Sequence, residues 1–313
     1  MKAVVIRRFG GPEVLEIADL PVPEPGPGQV RVKVEAAAVN PVDVATRAGA
    51  LAGAGLMVAD RQIGIGWDLA GDVDSIGPDV ERLAVGESVI GMRNLLGAQV
   101  GAQSEYVVLD QDAVARAPRT ASAVEAATIP LNALTASQAL DLLQLDPGQS
   151  LLVTGAAGAL GGFALELAAL RGLKTIAVAG SRDERLVRRL GASDFIARID
   201  DLGAAVRGVI AQGVHGALDA AAIGVGALDA VRDGGSFVAV APGAAPPPLR
   251  GIRVHNEWIH TDAPRLTELA ALVDAGRLTP RVAEREPLDA VAAAHEQIAA
   301  GGLRGRIVLT PSD

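Results

Sequence analysis

The sequence predicts an α/β protein of two domains, a doubly wound parallel sheet beside a β-rich domain. Three observations carry this. Residues 1 to about 120 hold short β-type runs punctuated by Gly and Pro. From about residue 151, strands alternate with helices, the pattern of a parallel sheet covered on both faces. The length, 313 residues, gives each domain room for a core.

In chain order, residues 30–39 (V-R-V-K-V-E-A-A-A-V) open with strict alternation and read as a half-buried strand. The turn-dense stretch 21–28 (P-V-P-E-P-G-P-G) leads into it. Residues 63–77 and 105–109 are further strands. The apolar run 151–153 is followed by a glycine turn and a helix over 159–171. A strand spans 174–179, and Ser181 opens a helix that stops at Gly191. Strands follow near Phe195, Ala217 and Phe237, helices at 266–274 and 290–299, and an apolar strand at 306–309. The expected domains are 1–123 with 264–313 (β-rich) and 124–263 (parallel sheet).

Composition removes several chemistries. The chain has no cysteine, so disulfides, a cysteine nucleophile and thiolate zinc sites are out of reach. Its histidines (His215, His255, His260, His295) form no H-x-x-x-H pair, and no metal site is expected. A net charge of −9 disfavours nucleic acid and acidic membranes as partners. The mean hydropathy of +0.31 raises the membrane question. Yet the charge-free stretch 147–165 carries five glycines and a proline, which fits a strand-loop-helix and not a membrane span. The N-terminal M-K-A-V-V-I-R-R lacks a signal-type apolar core, and a cytoplasmic location is expected.

The central signal is L-L-V-T-G-A-A-G-A-L-G at 151–161. A buried strand runs into a turn of small residues that opens a helix, whose N-terminal amides favour an anion. Ala156, Ala157, Gly158, Ala159, Leu160 and Gly161 form an A-x-G-x-x-G variant of the dinucleotide fingerprint. In that reading the backbone approaches a pyrophosphate and Gly161 lets helix and strand pack closely. A tight structural turn is the plainer alternative. A P-loop would need G-K-[ST], and no lysine lies there. Short-chain reductases carry Y-x-x-x-K, but the only tyrosine is Tyr106, followed by Val107-Val108-Leu109-Asp110. G-x-S-x-G is absent.

An NAD site places an acid at the tip of the second strand. Here the tip reads Ala179-Gly180-Ser181-Arg182, a hydroxyl and a guanidinium suited to a 2′-phosphate. Residues 181–191 hold four arginines and two acids. The cofactor expected is therefore NADPH. Ser181-Arg182-Asp183-Glu184 also reads as a capping box, which would make these residues structural.

With these segments in view, the chain resembles the medium-chain dehydrogenase/reductases, specifically their zinc-free quinone oxidoreductase (zeta-crystallin-like) branch. The resemblance covers nearly the whole chain. It rests on M-K-A-V-V-I-R-R-F-G-G-P-E-V-L at the start, Val39-Asn40-Pro41-Val42-Asp43, and Gly66-Trp67-Asp68-Leu69-Ala70-Gly71. Val85-Gly86-Glu87-Ser88-Val89, the coenzyme turn and Arg304-Gly305-Arg306-Ile307-Val308-Leu309 complete it. It implies a Rossmann-type coenzyme domain, a GroES-like catalytic domain, a cleft between them and a homodimer.

The zinc-dependent relatives bind catalytic zinc where this chain has Asn40, Trp67 and a residue near Leu131, none of them a usual ligand. The resemblance thus implies hydride transfer from NADPH to a quinone or an α,β-unsaturated carbonyl. Asn40 is the candidate donor to the oxygen where charge develops, or else a polar strand end. Asp43 orients Asn40 or a water, or caps the following helix. Trp67 walls the substrate pocket or belongs to the core. Ala45, Thr46 and Arg47 stand where some members carry a tyrosine, so no general acid is evident and water protonates the product. Thr135, Arg198 and Arg306 resemble cofactor contacts, with a helix face or surface charge as the alternative. Variable loops at 47–62, 93–102 and 243–262 would line the substrate pocket. Two rivals stand beside this reading: an enoyl-thioester or polyketide-tailoring reductase, and a non-catalytic NADPH-binding sensor or structural protein.

Overall fold

The alternating segment near the N-terminus folds as the strand Gln29–Val39 in the computed structural model, which describes residues 1–58 and 62–311. Val30, Val32 and Val34 are buried while Lys33 and Glu35 are exposed; Ala36, Ala37, Ala38 and Val39 are then all buried. The change from alternation to continuous burial marks where the strand passes from a sheet with one wet face into the interior.

The chain forms two compact units, 1–131 with 260–313 and 132–259, so 124–131 and 260–263 go with the first. Among the described residues, the first unit holds a seven-stranded and a three-stranded sheet. Gln29–Val39 is the hub of the larger one. It pairs antiparallel with Asp68–Ile76, with Tyr106–Asp110 near its start and with Arg306–Thr310 near its end. Its valines pack on Leu69, Val73, Val89, Val107 and Leu109.

The stretch 63–77 departs from the single strand expected. Ile63–Gly64 joins the smaller sheet and Asp68–Ile76 the larger. Gly66 separates them at φ +105, a conformation closed to other residues. The reason is crowding: a Cβ on Gly66 would lie 2.5 Å from the backbone nitrogen of Gln103.

The second unit carries a six-stranded sheet among the described residues. Its order is Asp194–Ala197, Lys174–Ala179, Ser150–Thr154, Val214–Asp219, Val231–Ala239, Arg253–Asn256, every pair parallel. In sequence order this is 3-2-1-4-5-6, the Rossmann arrangement. The order reverses between Ser150–Thr154 and Val214–Asp219, and the turn after Ser150–Thr154 opens the helix Ala159–Leu170 there. The helix Pro130–Leu143 had no counterpart in the sequence reading beyond the helix-face alternative for Thr135. It is buried almost throughout and shows no polar stripe from which periodicity reads a helix. No helix of the described residues is long and apolar enough to cross a membrane.

Gly66→Ala is expected to destabilise the protein by more than about 2 kcal/mol, from strain plus the clash with Gln103. Gly86→Ala, at φ +87 with open space around its Cβ, should cost only the strain, about 1 kcal/mol. Urea denaturation of both variants checks the difference.

Candidate active site

The coenzyme turn is built almost entirely from backbone. Gly155 sits at φ +60, and a Cβ there would come 3.2 Å from the Ala220 carbonyl oxygen. A Cβ on Gly161 would lie 2.3 Å from the Gly155 carbonyl oxygen, so that position must be glycine for helix and strand to meet. Ala156 takes the first fingerprint position without strain because Gly155, one residue earlier, makes the left-handed turn. Ala156, Ala157 and Ala159 are buried, and Gly158 and Leu160 half-buried. Gly158, the N-cap of Ala159–Leu170, has no side chain with which to cover that helix end. These positions form a cradle that fits a dinucleotide pyrophosphate.

Asp219 holds this turn and escaped the sequence reading. It ends Val214–Asp219 fully buried. Its Oδ1 accepts from Thr154 Oγ1 at 2.6 Å, and its carboxylate also accepts from the amides of Ile223 (3.1 Å) and Gly224 (2.7 Å). One carboxylate therefore ties the end of the first strand to the loop beyond the fourth.

At the tip of the second strand the capping box is not formed. Ser181–Asp183 is a single 3-10 turn, and Glu184–Arg189 starts from Asp183 without a side-chain cap. Glu184 instead pairs with Arg188 one turn on, Nε to Oε1 at 2.8 Å. Ser181 and Arg182 are exposed. With Arg185, Arg188 and Arg189 they line a shallow basic depression. Arg198 is exposed at the end of the adjacent strand, its amide bonded to the Ala179 carbonyl at 2.9 Å. Ser181, Arg182 and Arg198 are thus grouped where an adenosine phosphate would sit on a Rossmann sheet. Thr135 is nearly buried on Pro130–Leu143.

In the first unit, sheet register gathers a second group. Ala38 lies opposite Asp68, and Val39 opposite Ile307. Asn40, Asp68 and Arg306 therefore come to one end of the same sheet. Asn40 also starts the helix Pro41–Ala48, with proline at its first position. The Asn40 amide nitrogen donates to Asp68 Oδ2 at 3.0 Å, and the backbone amide of Leu131 donates to Asp68 Oδ1 at 2.7 Å. Asp43 Oδ2 accepts from the backbone amide of Asn40 at 2.8 Å. Both expectations for Asp43 meet here: it caps the helix, and by capping it fixes the Asn40 backbone. The Asn40 side chain is held at its nitrogen by Asp68, and it completes the capping box by accepting from the Asp43 backbone amide. The sequence signal for Asp68 was its place directly after Trp67 in Gly66-Trp67-Asp68. Trp67 is 9% exposed, and its carbonyl accepts from the Arg93 amide at 2.6 Å.

Asn40, Asp43, Asp68 and Gln103 are all buried. Burial pushes the Asp43 carboxyl up to about 8, against its bond to Asn40, with the neighbouring charge of Asp68 adding to the rise. Burial lifts Asp68 to about 7, against its bonds to Asn40 and Leu131 and the charge of Arg306. Burial draws Arg306 down to about 10, so it stays charged at neutral pH. Two carboxylates thus face one guanidinium, and the pair keeps a proton well above the ordinary carboxylate range. The hydrogen bonds agree. Asp43 Oδ1 and Gln103 Oε1 are buried acceptors with no donor, and a proton retained on Asp43 makes that oxygen a donor.

The donor set does not suit zinc. Asn40 uses its nitrogen on Asp68, Trp67 and Leu131 offer no ligand atoms, and Asp68 has a donor on each oxygen. No three His, Asp or Glu residues converge on a metal-sized site among the described residues.

The family described as "Alcohol dehydrogenase GroES-like domain" matches residues 26–119, and that described as "Zinc-binding dehydrogenase" matches 190–309. The solved structure of an NAD-dependent alcohol dehydrogenase has a TM-score of 0.87 and 32% identity, covering 100% of both chains. The quinone oxidoreductase of Coxiella burnetii has a TM-score of 0.86 and 27% identity, covering 99% of each. The chloroplastic NADPH-dependent alkenal/one oxidoreductase of Arabidopsis thaliana is 29% identical over 326 residues, 99% of this chain and 80% of that one. The chain belongs to the medium-chain dehydrogenase/reductase superfamily, as the resemblance implied.

The raised acid pair fixes the sign of a pH effect. Unfolded, Asp43 titrates near 3.8; folded, near 8. Its contribution to stability is complete below about pH 4 and is lost as pH rises through about 8, because the unfolded chain releases a proton that the folded chain keeps. Asp43→Asn should therefore gain stability relative to the native chain between about pH 5 and about pH 8. Denaturation curves across that range test this; parallel curves would show an ordinary Asp43.

Proposed function

We propose that this protein is an NADPH-dependent, zinc-independent reductase that transfers hydride to a quinone or an α,β-unsaturated carbonyl. The observation that carries the reading is the buried amide of Asn40, held by Asp68 where zinc dehydrogenases place a metal ligand. The relatives named as quinone and alkenal/one oxidoreductases support the substrate class. Bound NADPH supplies a hydride from C4 of its nicotinamide.

On an enone, the β-carbon accepts the hydride and the π-electrons move to the carbonyl oxygen, giving an enolate. The Asn40 amide donates to that oxygen as charge develops, so its bond is stronger in the transition state than in the ground state. The enolate then takes a proton from water at carbon. On a quinone the electrons likewise move to a carbonyl oxygen, but water protonates that oxygen, and transfer of the ring C–H proton to the second oxygen rearomatises the ring to a hydroquinone. Trp67 and the loops 47–62 and 93–102 of the first unit are proposed to shape the acceptor pocket; residues 59–61 lie outside the described part of the structure.

For the cofactor, Gly158 to Gly161 would hold the pyrophosphate and Thr135 the nicotinamide end. Ser181, Arg182 and Arg198 would take the adenosine phosphate. No acid stands at the strand tip to repel it, and Arg182 is not engaged in a cap. Arg306 stands beside Asp43 and Asp68, and we assign it first to those acids. A cytoplasmic homodimer is part of the same proposal.

The test is NADPH oxidation against quinones, 2-alkenals and enoyl thioesters. Turnover confined to enoyl thioesters would favour the thioester reductase, and tight NADPH binding with no turnover the sensor. Arg182→Ala is expected to weaken NADPH by about 10- to 100-fold and NADH by far less. Equal losses for both cofactors, measured by fluorescence titration, would reduce Arg182 to a structural role.

A further inference from the structure

We propose that two loops of the first unit, 49–58 and 94–100, form an apolar subsite that takes an aliphatic tail on the acceptor. The inference rests on the reductase reading above and adds to it the part of the acceptor beyond the reacting carbons.

Neither loop carries charge: residues 48–58 and 94–104 hold no Asp, Glu, Lys, Arg or His, in a chain where 21% of residues are charged. Their apolar side chains divide between core and solvent. Met57 and Leu96 pack into one cluster with Leu51, Ile63 and Ile65. The residues beside them do not, for Leu56 is 40%, Val58 72% and Leu95 56% exposed. The two loops run together, because the strand Ile63–Gly64 that follows the first is bonded to the second. The Gly64 amide donates to the Ala98 carbonyl at 2.8 Å, and a Cβ on Gly64 would lie 2.2 Å from the Gly101 nitrogen. Leu56, Val58 and Leu95 therefore emerge from the same cluster. A single exposed apolar residue needs no explanation, whereas a group of them on uncharged loops marks a binding surface.

The loops are held in shape. Arg93 closes the neck of the second: its Nε donates to the Val100 carbonyl and its Nη1 to the Val108 carbonyl, both at 3.0 Å. This half-buried guanidinium fixes the loop against the strand Tyr106–Asp110. The first loop turns back on itself, the Leu56 amide donating to the Leu51 carbonyl at 2.9 Å.

Both loops also run from the Asn40 group. The helix Pro41–Ala48, which Asn40 caps, ends at Gly49, where the first loop begins. The second leads through Gly101 and Ala102 to Gln103, whose side-chain nitrogen lies 3.5 Å from Asp43 Oδ2. The composition of the loops decides the occupant. Asn94 and Gln99 are their only polar side chains, so they offer no partner to a charged group and suit an alkyl chain. On a 2-alkenal that chain leaves from the β-carbon, at the far end of the conjugated system from the oxygen assigned to Asn40, and so extends away from Asn40.

The experiment is a chain-length series, 2-pentenal to 2-decenal, with NADPH and the full-length protein. kcat/KM is expected to rise about twofold per added methylene, about half the effect of full burial. Leu95→Asp should cut the ratio of kcat/KM for 2-decenal to that for 2-pentenal at least about tenfold, with the change falling in KM. A flat series in the native protein, or equal losses on both alkenals in the variant, overturns the subsite. Absence of turnover on every acceptor overturns the reductase reading instead, and a readout independent of turnover then decides the subsite. In methyl NMR of the native protein, Leu56, Val58 and Leu95 should shift on addition of 1-decanol and not of 1-butanol. No shift with 1-decanol overturns the subsite. Shifts that follow protein concentration without 1-decanol mark a contact between copies and overturn it too.

Discussion

Charge that leaves water must be met by charge or by hydrogen bonds, and the first unit is organised around one such meeting. Asp43, Asp68 and Arg306 converge where the end of Gln29–Val39 adjoins the starts of Asp68–Ile76 and Arg306–Thr310. No single carboxylate is tolerable there alone, because an unpaired buried charge costs several kcal/mol or keeps its proton. The strand register is therefore coupled to the chemistry. A slip of one residue would turn the valines of Gln29–Val39 outward and separate Asn40 from Asp68. The seven-stranded sheet and the Asn40 amide are specified by the same pairing.

The second unit meets its constraint by other means. Its cradle relies on backbone and on what is missing from side chains: no Cβ at Gly161, left-handed freedom at Gly155, small residues between. A side chain that braces it, Asp219, accepts from amides of the adjoining loop and from Thr154. In the proposed reading, nucleotide preference then rests on exposed arginines beyond the second strand. Exposed charges cost little to stability, so this preference is separable from the fold in a way that the Asn40 group is not.

That contrast explains what the sequence disclosed. The parallel sheet was legible because each strand is a short apolar run and most intervening helices carry an end signal. The coenzyme turn was legible because its chemistry is local, eleven consecutive residues with glycines at set spacing. Gly155 was passed over because the fingerprint counts from the next residue. The helix Pro130–Leu143 was missed because it has no wet face. Asp68 and Asp219 were missed for a third reason: the bonds that tie them across the sheets reach partners 28 and 65 positions away. A neighbouring motif such as Gly66-Trp67 can mark the segment, but it does not announce a bond that the sheet register creates. The capping box at Ser181 went the other way, a local pattern that the structure leaves unused because the chain takes a 3-10 turn there.

On the proposed reading, an amide in the place of a metal ligand also limits the chemistry. A zinc ion can hold an alkoxide at neutral pH because it places two full positive charges against the oxygen. Asn40 offers a dipole, worth a few kcal/mol in a dry site when aimed at developing charge. That is too little to generate an alkoxide and enough to speed hydride addition to a carbon whose neighbouring π-system already draws electrons. Quinones and enones meet this condition because conjugation carries the charge to oxygen unaided. The weaker the electrophilic help, the more it depends on aim, because a misdirected dipole loses its effect within tens of degrees while a point charge does not. A reductase that works through an amide therefore needs the amide's orientation fixed more tightly than a metal enzyme needs its ion, and on the proposed reading the bonds of Asn40 to Asp68 and to the Asp43 amide meet that need.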